Sequence, residues 1–296
     1  MPANANAPAP ADMQAAFHEY LKSHSATGRP PRYSRLLSSP KVDLLLRSRL
    51  ARLVNDSGDP PAWKTDHLRD PQTAAEEAVY AIEMNIAIFG VTAFLFVWAD
   101  VLNGTNYADA LEPIGEEMFE ILFDSTDVAF KIAKYGEGFA DEIATFTNTN
   151  LTAAQRIAKI QGYLTDVQAH ENDARNMLTR LTTKSNNFVA AWTALGQESS
   201  RNIGQDLLDA EDLRIEFVAN VGIQSRTWNT TVVDSRMIES MLQMAITLVE
   251  HPVHMQTSLD RAVELYTANA LHMRAFATKL TEWLDENDID RDILDS

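Results

Sequence analysis

Three features of the 296-residue sequence predict an all-α fold, an elongated helical bundle with long coiled-coil-like helices and an apolar helical hairpin. First, prolines punctuate the chain up to Pro113 and the next is Pro252, so Ile114 to His251 carries none. Proline costs about 3 kcal/mol inside a helix, and its absence permits very long helices. Second, apolar residues recur at alternating steps of three and four along the second half of the chain. Third, alternating apolar and polar strand patterns bounded by turns are hard to find anywhere.

The elements follow in order. Residues 1–70 form a Pro-rich N-terminal region with short helices, in which Ser39-Pro40 places a cap oxygen before a proline ahead of KVDLLLRSRLARLV. The basic residues Arg29, Arg32, Arg35, Lys41, Arg47, Arg49 and Arg52 cluster between Gly28 and Val54 against one acid, Asp43. Residues 71–150 read as the apolar and acidic hairpin. Asp70-Pro71 starts its first helix, with Thr73 and Glu76 at capping-box spacing. Met84 to Ala99, MNIAIFGVTAFLFVWA, passes sixteen residues without a charge. The turn NGTN (103–106) leads to a second helix, Ile114 to Tyr135, with an aromatic-rich apolar side and a carboxylate stripe of Glu116, Glu117, Glu120, Asp124 and Asp127.

Residues 151–296 supply the long-helix stalk and the C-terminal helices. Thr152 and Gln155 form a capping box. Twelve positions then follow a 3.5-residue seam: Ile157, Ile160, Leu164, Val167, Glu171, Ala174, Leu178, Leu181, Ser185, Phe188, Trp192 and Leu195. Such a register predicts a helix of more than forty residues, roughly 65 Å long. Past Gly196 the seam slips. Helical spacing resumes from Ile203 to Val221, and a final pair spans about 232–250 and 257–284, with Thr257 and Asp260 as a weak capping box.

Composition narrows the function. Twenty-five Lys and Arg against 42 Asp and Glu give a net charge of -17, which argues against nucleic acid as a partner. The charge is uneven: residues 1–70 hold 10 basic and 7 acidic side chains, the rest 15 and 35. The seven basic residues of the arm offer self-neutralisation against that acidic remainder, or contact with an anionic partner. There is no cysteine, which excludes disulfides, thiolate metal sites and cysteine nucleophiles. Met1 to Met13 has neither a basic nor an apolar leader region, so the expectation is secretion without a cleavable signal peptide, or a cytoplasmic protein.

No phosphate loop, nucleophile elbow or zinc pattern is present, and paired acids such as Glu116 and Glu117 are adjacent and point to different helix faces. His251 and His254 are three apart, but Pro252 between them disrupts the helix that a ligand pair needs. The expectation is a protein that is not an enzyme, with no metal and no cofactor.

The apolar run is the least ordinary segment. It approaches the roughly 20 residues of a bilayer span and is apolar on every side, so in water it must be central core or be hidden until needed. If it enters lipid, Ile86, Ile88, Phe89, Val91, Phe94, Leu95, Phe96, Val97 and Trp98 make the contact. A charge facing lipid costs roughly 2.5–3.5 kcal/mol or more, so the five carboxylates would then face a water-filled lumen in a multimer. In this layout, over about 75–285, the chain resembles the α-helical pore-forming toxins, cytolysin A and the multi-component haemolysins. The resemblance is one of architecture and carries no residue motif. It implies a membrane partner, an oligomer or homologous companion subunits, and an inserting hairpin. The alternative expectation is a non-enzymatic helical scaffold or self-assembling structural protein, capsid-like or partner-binding.

Overall fold

The computed structural model describes residues 70–103, 106–147, 151–199, 211–287 and 289. Within them are five α-helices, one 3-10 turn and no strand: α1 Pro71–Asn103, the 3-10 turn Ala108–Leu111, α2 Glu112–Thr147, α3 Ala153–Ser199, α4 Glu211–Thr247 and α5 Pro252–Glu286. The all-α expectation holds. The basic arm, the Ser39-Pro40 start and the last seven residues lie outside the described residues.

Local chemistry sets the helix starts. Asp70 caps α1, its Oδ2 accepting from the Thr73 amide at 3.4 Å, and the Thr73 hydroxyl turns back to the same oxygen instead of making a box with Glu76. The Thr152–Gln155 box forms as expected, with the Thr152 amide donating to Gln155 Oε1 at 2.9 Å and the Gln155 amide to Thr152 Oγ1 at 3.3 Å. At the far end of the apolar run, Asp100 accepts from the amides of Tyr107 (2.7 Å) and Ala108 (2.8 Å) and so anchors the 3-10 turn. Two boundaries differ from the sequence reading. The segments around 215 and 232–250 are one helix of 37 residues, because no breaker separates them. α5 opens at Pro252, which suits the first turn, so Thr257 and Asp260 lie inside the helix and Asp260 accepts from Gln256 at 2.6 Å instead.

α3, at 47 residues, is roughly 70 Å long. Of its twelve seam positions, Ile160, Val167, Glu171, Ala174, Leu181, Ser185, Phe188 and Trp192 are buried, and Ile157, Leu164 and Leu178 are half-buried. The side chain of Leu195 is outside the described residues. α2 to α5 run antiparallel in sequence and close a ring, with α2 packed on both α3 and α5, and α4 on both α3 and α5. The ion pairs record the direction: Glu117 meets Arg180, and fourteen residues on Lys131 meets Asp173. α1 packs against α4 and α5, and its side chains meet all four neighbours in the interior. The 71–150 and 151–296 segments thus share one hydrophobic core.

The α2–α5 contact is close because Gly136 permits it. A Cβ there would sit 2.7 Å from the Ala270 Cβ and 3.0 Å from the Tyr266 carbonyl oxygen, whereas one at Gly138 would meet nothing within 4 Å. Two glycines of one helix should therefore respond with opposite sign. Gly136→Ala is expected to destabilise by about 1–3 kcal/mol through overpacking against backbone. Gly138→Ala is expected to stabilise by up to about 1 kcal/mol through helix propensity. Urea unfolding of both variants checks this.

Candidate functional site

The site centres on α1. From Met84 to Phe94 every residue is buried, eleven in succession, so the helix is enclosed on all faces. Ile86, Ile88, Phe89 and Val91 are fully enclosed, Phe94, Phe96 and Val97 are buried, and Leu95 is half-buried. The Trp98 side chain lies outside the described residues. Pro71–Val97, 27 residues, is the one stretch among the described residues long and apolar enough to cross a membrane. Two polar side chains interrupt the buried run from Met84 to Phe94. The Thr92 hydroxyl donates to the Ile88 carbonyl at 2.8 Å, which satisfies it within the helix. Neither amide atom of buried Asn85 has a hydrogen-bond partner among the described residues.

The carboxylate stripe of α2 is turned toward α3. Arg180 reaches three of its members, with Nε 2.7 Å from Glu117, Nη2 3.4 Å from Glu120 and Nη1 2.5 Å from Asp124. Glu116 is half-buried and Asp127 exposed. One guanidinium against three carboxylates leaves a local negative excess, so this clamp is weaker than three separate ion pairs would be. In the folded chain the stripe thus holds α2 to α3.

Beneath Arg180, all five helices border a small internal chamber of about 10 Å³, which Asn85, Ser125, Lys184 and Gln224 line together with apolar side chains. Lys184 is only 4% exposed, and burial pushes its ammonium down to about 8, with Glu117 acting to raise it and Arg180 to lower it. Gln224 Nε2, like the Asn85 amide, has no partner among the described residues. Lys184 also lines a cleft of about 580 Å³ on the outside of α2, α3 and the 3-10 turn, so its side chain stands between the two spaces.

Further along α3, buried His170 packs edge-on to Tyr135 of α2 at 5.0 Å and shares a short hydrogen bond through Nδ1 with the Tyr266 hydroxyl of α5. The Tyr135 hydroxyl donates to Asp166 at 2.9 Å, and Phe139 stacks edge-on to Tyr266 at 5.1 Å. Burial holds His170 below its ordinary value of 6.5, seconded by Lys131, while Asp173 and Asp166 oppose the shift. Next to it, Glu171 accepts from Arg175 and from Arg236 of α4 (2.9 Å), and Glu239 beside it is held above the usual carboxylate range by burial and by Glu171.

No family model, no curated protein and no solved structure matches this chain. The geometry must therefore carry the functional reading by itself.

The sequence reading missed these inner polar groups. Tyr163, His170, Met177 and Lys184, all buried, stand seven residues apart and form a row alongside the seam. The spacing was present in the sequence, but polar residues at heptad intervals also occur on solvated faces, and only packing distinguishes the two. His251 and His254 are both exposed at the start of α5, and no group of three metal-ligating side chains occurs among the described residues.

The His170 cluster predicts acid sensitivity. A buried imidazole with a lowered value favours the folded state when neutral. Its contribution is present above about pH 6.5 and is lost as pH falls from there toward the folded value. Urea unfolding at pH 7.5 and 5.0 should show a loss for the wild type that is smaller in His170→Gln.

Proposed function

We propose that this protein is membrane-active: a helical bundle that oligomerises and inserts its apolar α1–α2 hairpin into lipid, in the manner of a pore-forming toxin or toxin component. One observation carries the reading. The helix with the length and composition to cross a bilayer is the one that the four other helices enclose. A span stored in this way keeps its apolar surface from water until a target removes the need. The carboxylate stripe supports a multimer, since Glu116, Glu117, Glu120, Asp124 and Asp127 require water or protein around them at bilayer depth.

α1 must leave α4 and α5 to reach lipid, and the chain's lack of cysteine makes this testable. Glu76 of α1 lies 3.9 Å from Lys279 of α5 by their charged atoms. Cysteines introduced by Glu76→Cys and Lys279→Cys, joined by a short bis-maleimide, should abolish dye release from liposomes, while the unlinked double variant releases dye as the wild type does. Leu95→Asp, at a half-buried position, should cut release at least about tenfold because of the cost of a charge in hydrocarbon. Equal leakage from linked and unlinked protein, or none from wild type on any lipid composition, overturns the reading.

A second reading, a self-assembling scaffold, is favoured by one surface. Ile215, Val218, Val233, Met237 and Met244 of α4 are 40–55% exposed and share one helix face. It predicts concentration-dependent association in sedimentation runs without lipid, weakened by Met237→Glu.

A further inference from the structure

The outer cleft combines features that neither membrane insertion nor scaffolding uses. It is about 580 Å³, large enough for a small organic molecule. Ala110, Pro113, Ile114, Ala190 and Ala191 give it apolar walls, and Thr179, Thr183 and Asn187 of α3 add neutral polar groups. Its charged members are unequal. Arg180 is engaged by Glu117, Glu120 and Asp124. Lys184 has no hydrogen bond or ion pair to any described residue, although it is 4% exposed and lies inside the protein. A lysine in that position lacks the partner that normally stabilises a buried ammonium.

We infer that Lys184 is a carbonyl-capturing lysine, and that the cleft admits a small neutral aldehyde or ketone to form an imine with it. In the step, the free amine adds to the carbonyl carbon to give a carbinolamine. Loss of one water then leaves the C=N bond, with no oxidant, reductant or cofactor consumed. Glu117 lines the same cleft and acts electrostatically on Lys184, so in this step its carboxylate takes the proton that nitrogen releases and returns one to the departing hydroxyl. The Arg180 guanidinium holds Glu117 at 2.7 Å and fixes its orientation. The neutral, largely apolar walls and the engaged Arg180 select against an anionic carbonyl compound.

Desolvation supplies the nucleophile. A lysine pushed from 10.5 to about 8 presents roughly 300 times more free amine at pH 7 than an ordinary one. Glu117, Arg180 and Lys184 itself are the charged groups lining this cleft, and no titration elsewhere is needed.

Reductive trapping tests the assignment on the intact protein. Benzaldehyde with cyanoborohydride at pH 7, followed by peptide mass mapping, should label Lys184 at least about tenfold faster than Lys131, Lys134, Lys159 or Lys279. The preference should vanish in urea. Ala190→Phe, an exposed cleft wall position, should slow labelling of Lys184 without altering the other lysines. Glu117→Gln should slow it too, and the labelling rate should level off above about pH 8. Labelling of Lys184 no faster than that of the surface lysines, or labelling unaffected by Ala190→Phe, overturns the inference. The comparison of Lys184 with the other lysines is made in wild-type protein, so that arm of the test does not depend on any variant's stability, or on lipid.

Discussion

The structure depends on one constraint: from Met84 to Phe94, α1 carries no charge on any side and is kept from water on every face. An amphipathic helix needs one packing partner, but a helix with eleven consecutive buried residues needs several. α4 and α5 meet it directly, and α2 and α3 complete the enclosure through side chains around the internal chamber. Each fully enclosed Ile or Phe of α1 contributes about 1.5–3 kcal/mol relative to exposure. The lengths of the outer helices follow. They need to extend along α1 and past it, and the 47 residues of α3 exceed its 33.

Enclosure is not uniform, and the departures fall along α3. Asn85 and Gln224 bring unpaired amide atoms to the chamber beside buried Lys184, and each such amide group costs about 1–3 kcal/mol where it stays unsatisfied. The mid-bundle level instead spends its polarity in pairs, with His170 on Tyr266, Tyr135 on Asp166 and Glu171 on two arginines. The stacked Phe188–Phe217 pair near the far end of α3 is wholly apolar, with centroids 3.9 Å apart. The polar contacts around His170 and Arg180 respond to acid and to salt, whereas the Phe188–Phe217 contact, one helical turn beyond Lys184, is apolar. The Arg180 clamp, screened by salt, is the contact holding the acidic face of α2 to α3.

Much of the fold was legible in the sequence. The heptad spacing of α3, the Thr152–Gln155 box and the charge-free run of α1 each follow from local residue order, and the structure reproduces them. Helix boundaries were less legible where one amphipathic helix continues without a breaker, as in α4. The candidate site was legible only in its apolar half. Nothing local distinguishes Lys184 from a surface lysine, since its burial depends on Ile82, Leu122 and Trp228 arriving from three other helices. Arg180 likewise acquires meaning only when α2 brings Glu117, Glu120 and Asp124 to it across more than fifty residues.

The acidic stripe and the apolar helix bear on each other through that arginine. In water, Arg180 offsets one of the three carboxylates it touches, and solvent carries the rest at modest cost. If α2 entered a bilayer with α1 and without α3, the three carboxylates would lose their cation just where the dielectric falls, and desolvation would exceed anything that the apolar side chains Phe119, Ile121 and Phe123 gain. Insertion of α1 with α2 therefore requires either that Arg180 travel with the stripe, carrying part of α3, or that neighbouring copies supply water and counter-charge. A single copy meets neither condition while α3 remains packed on α4. On the membrane-active reading, assembly precedes insertion.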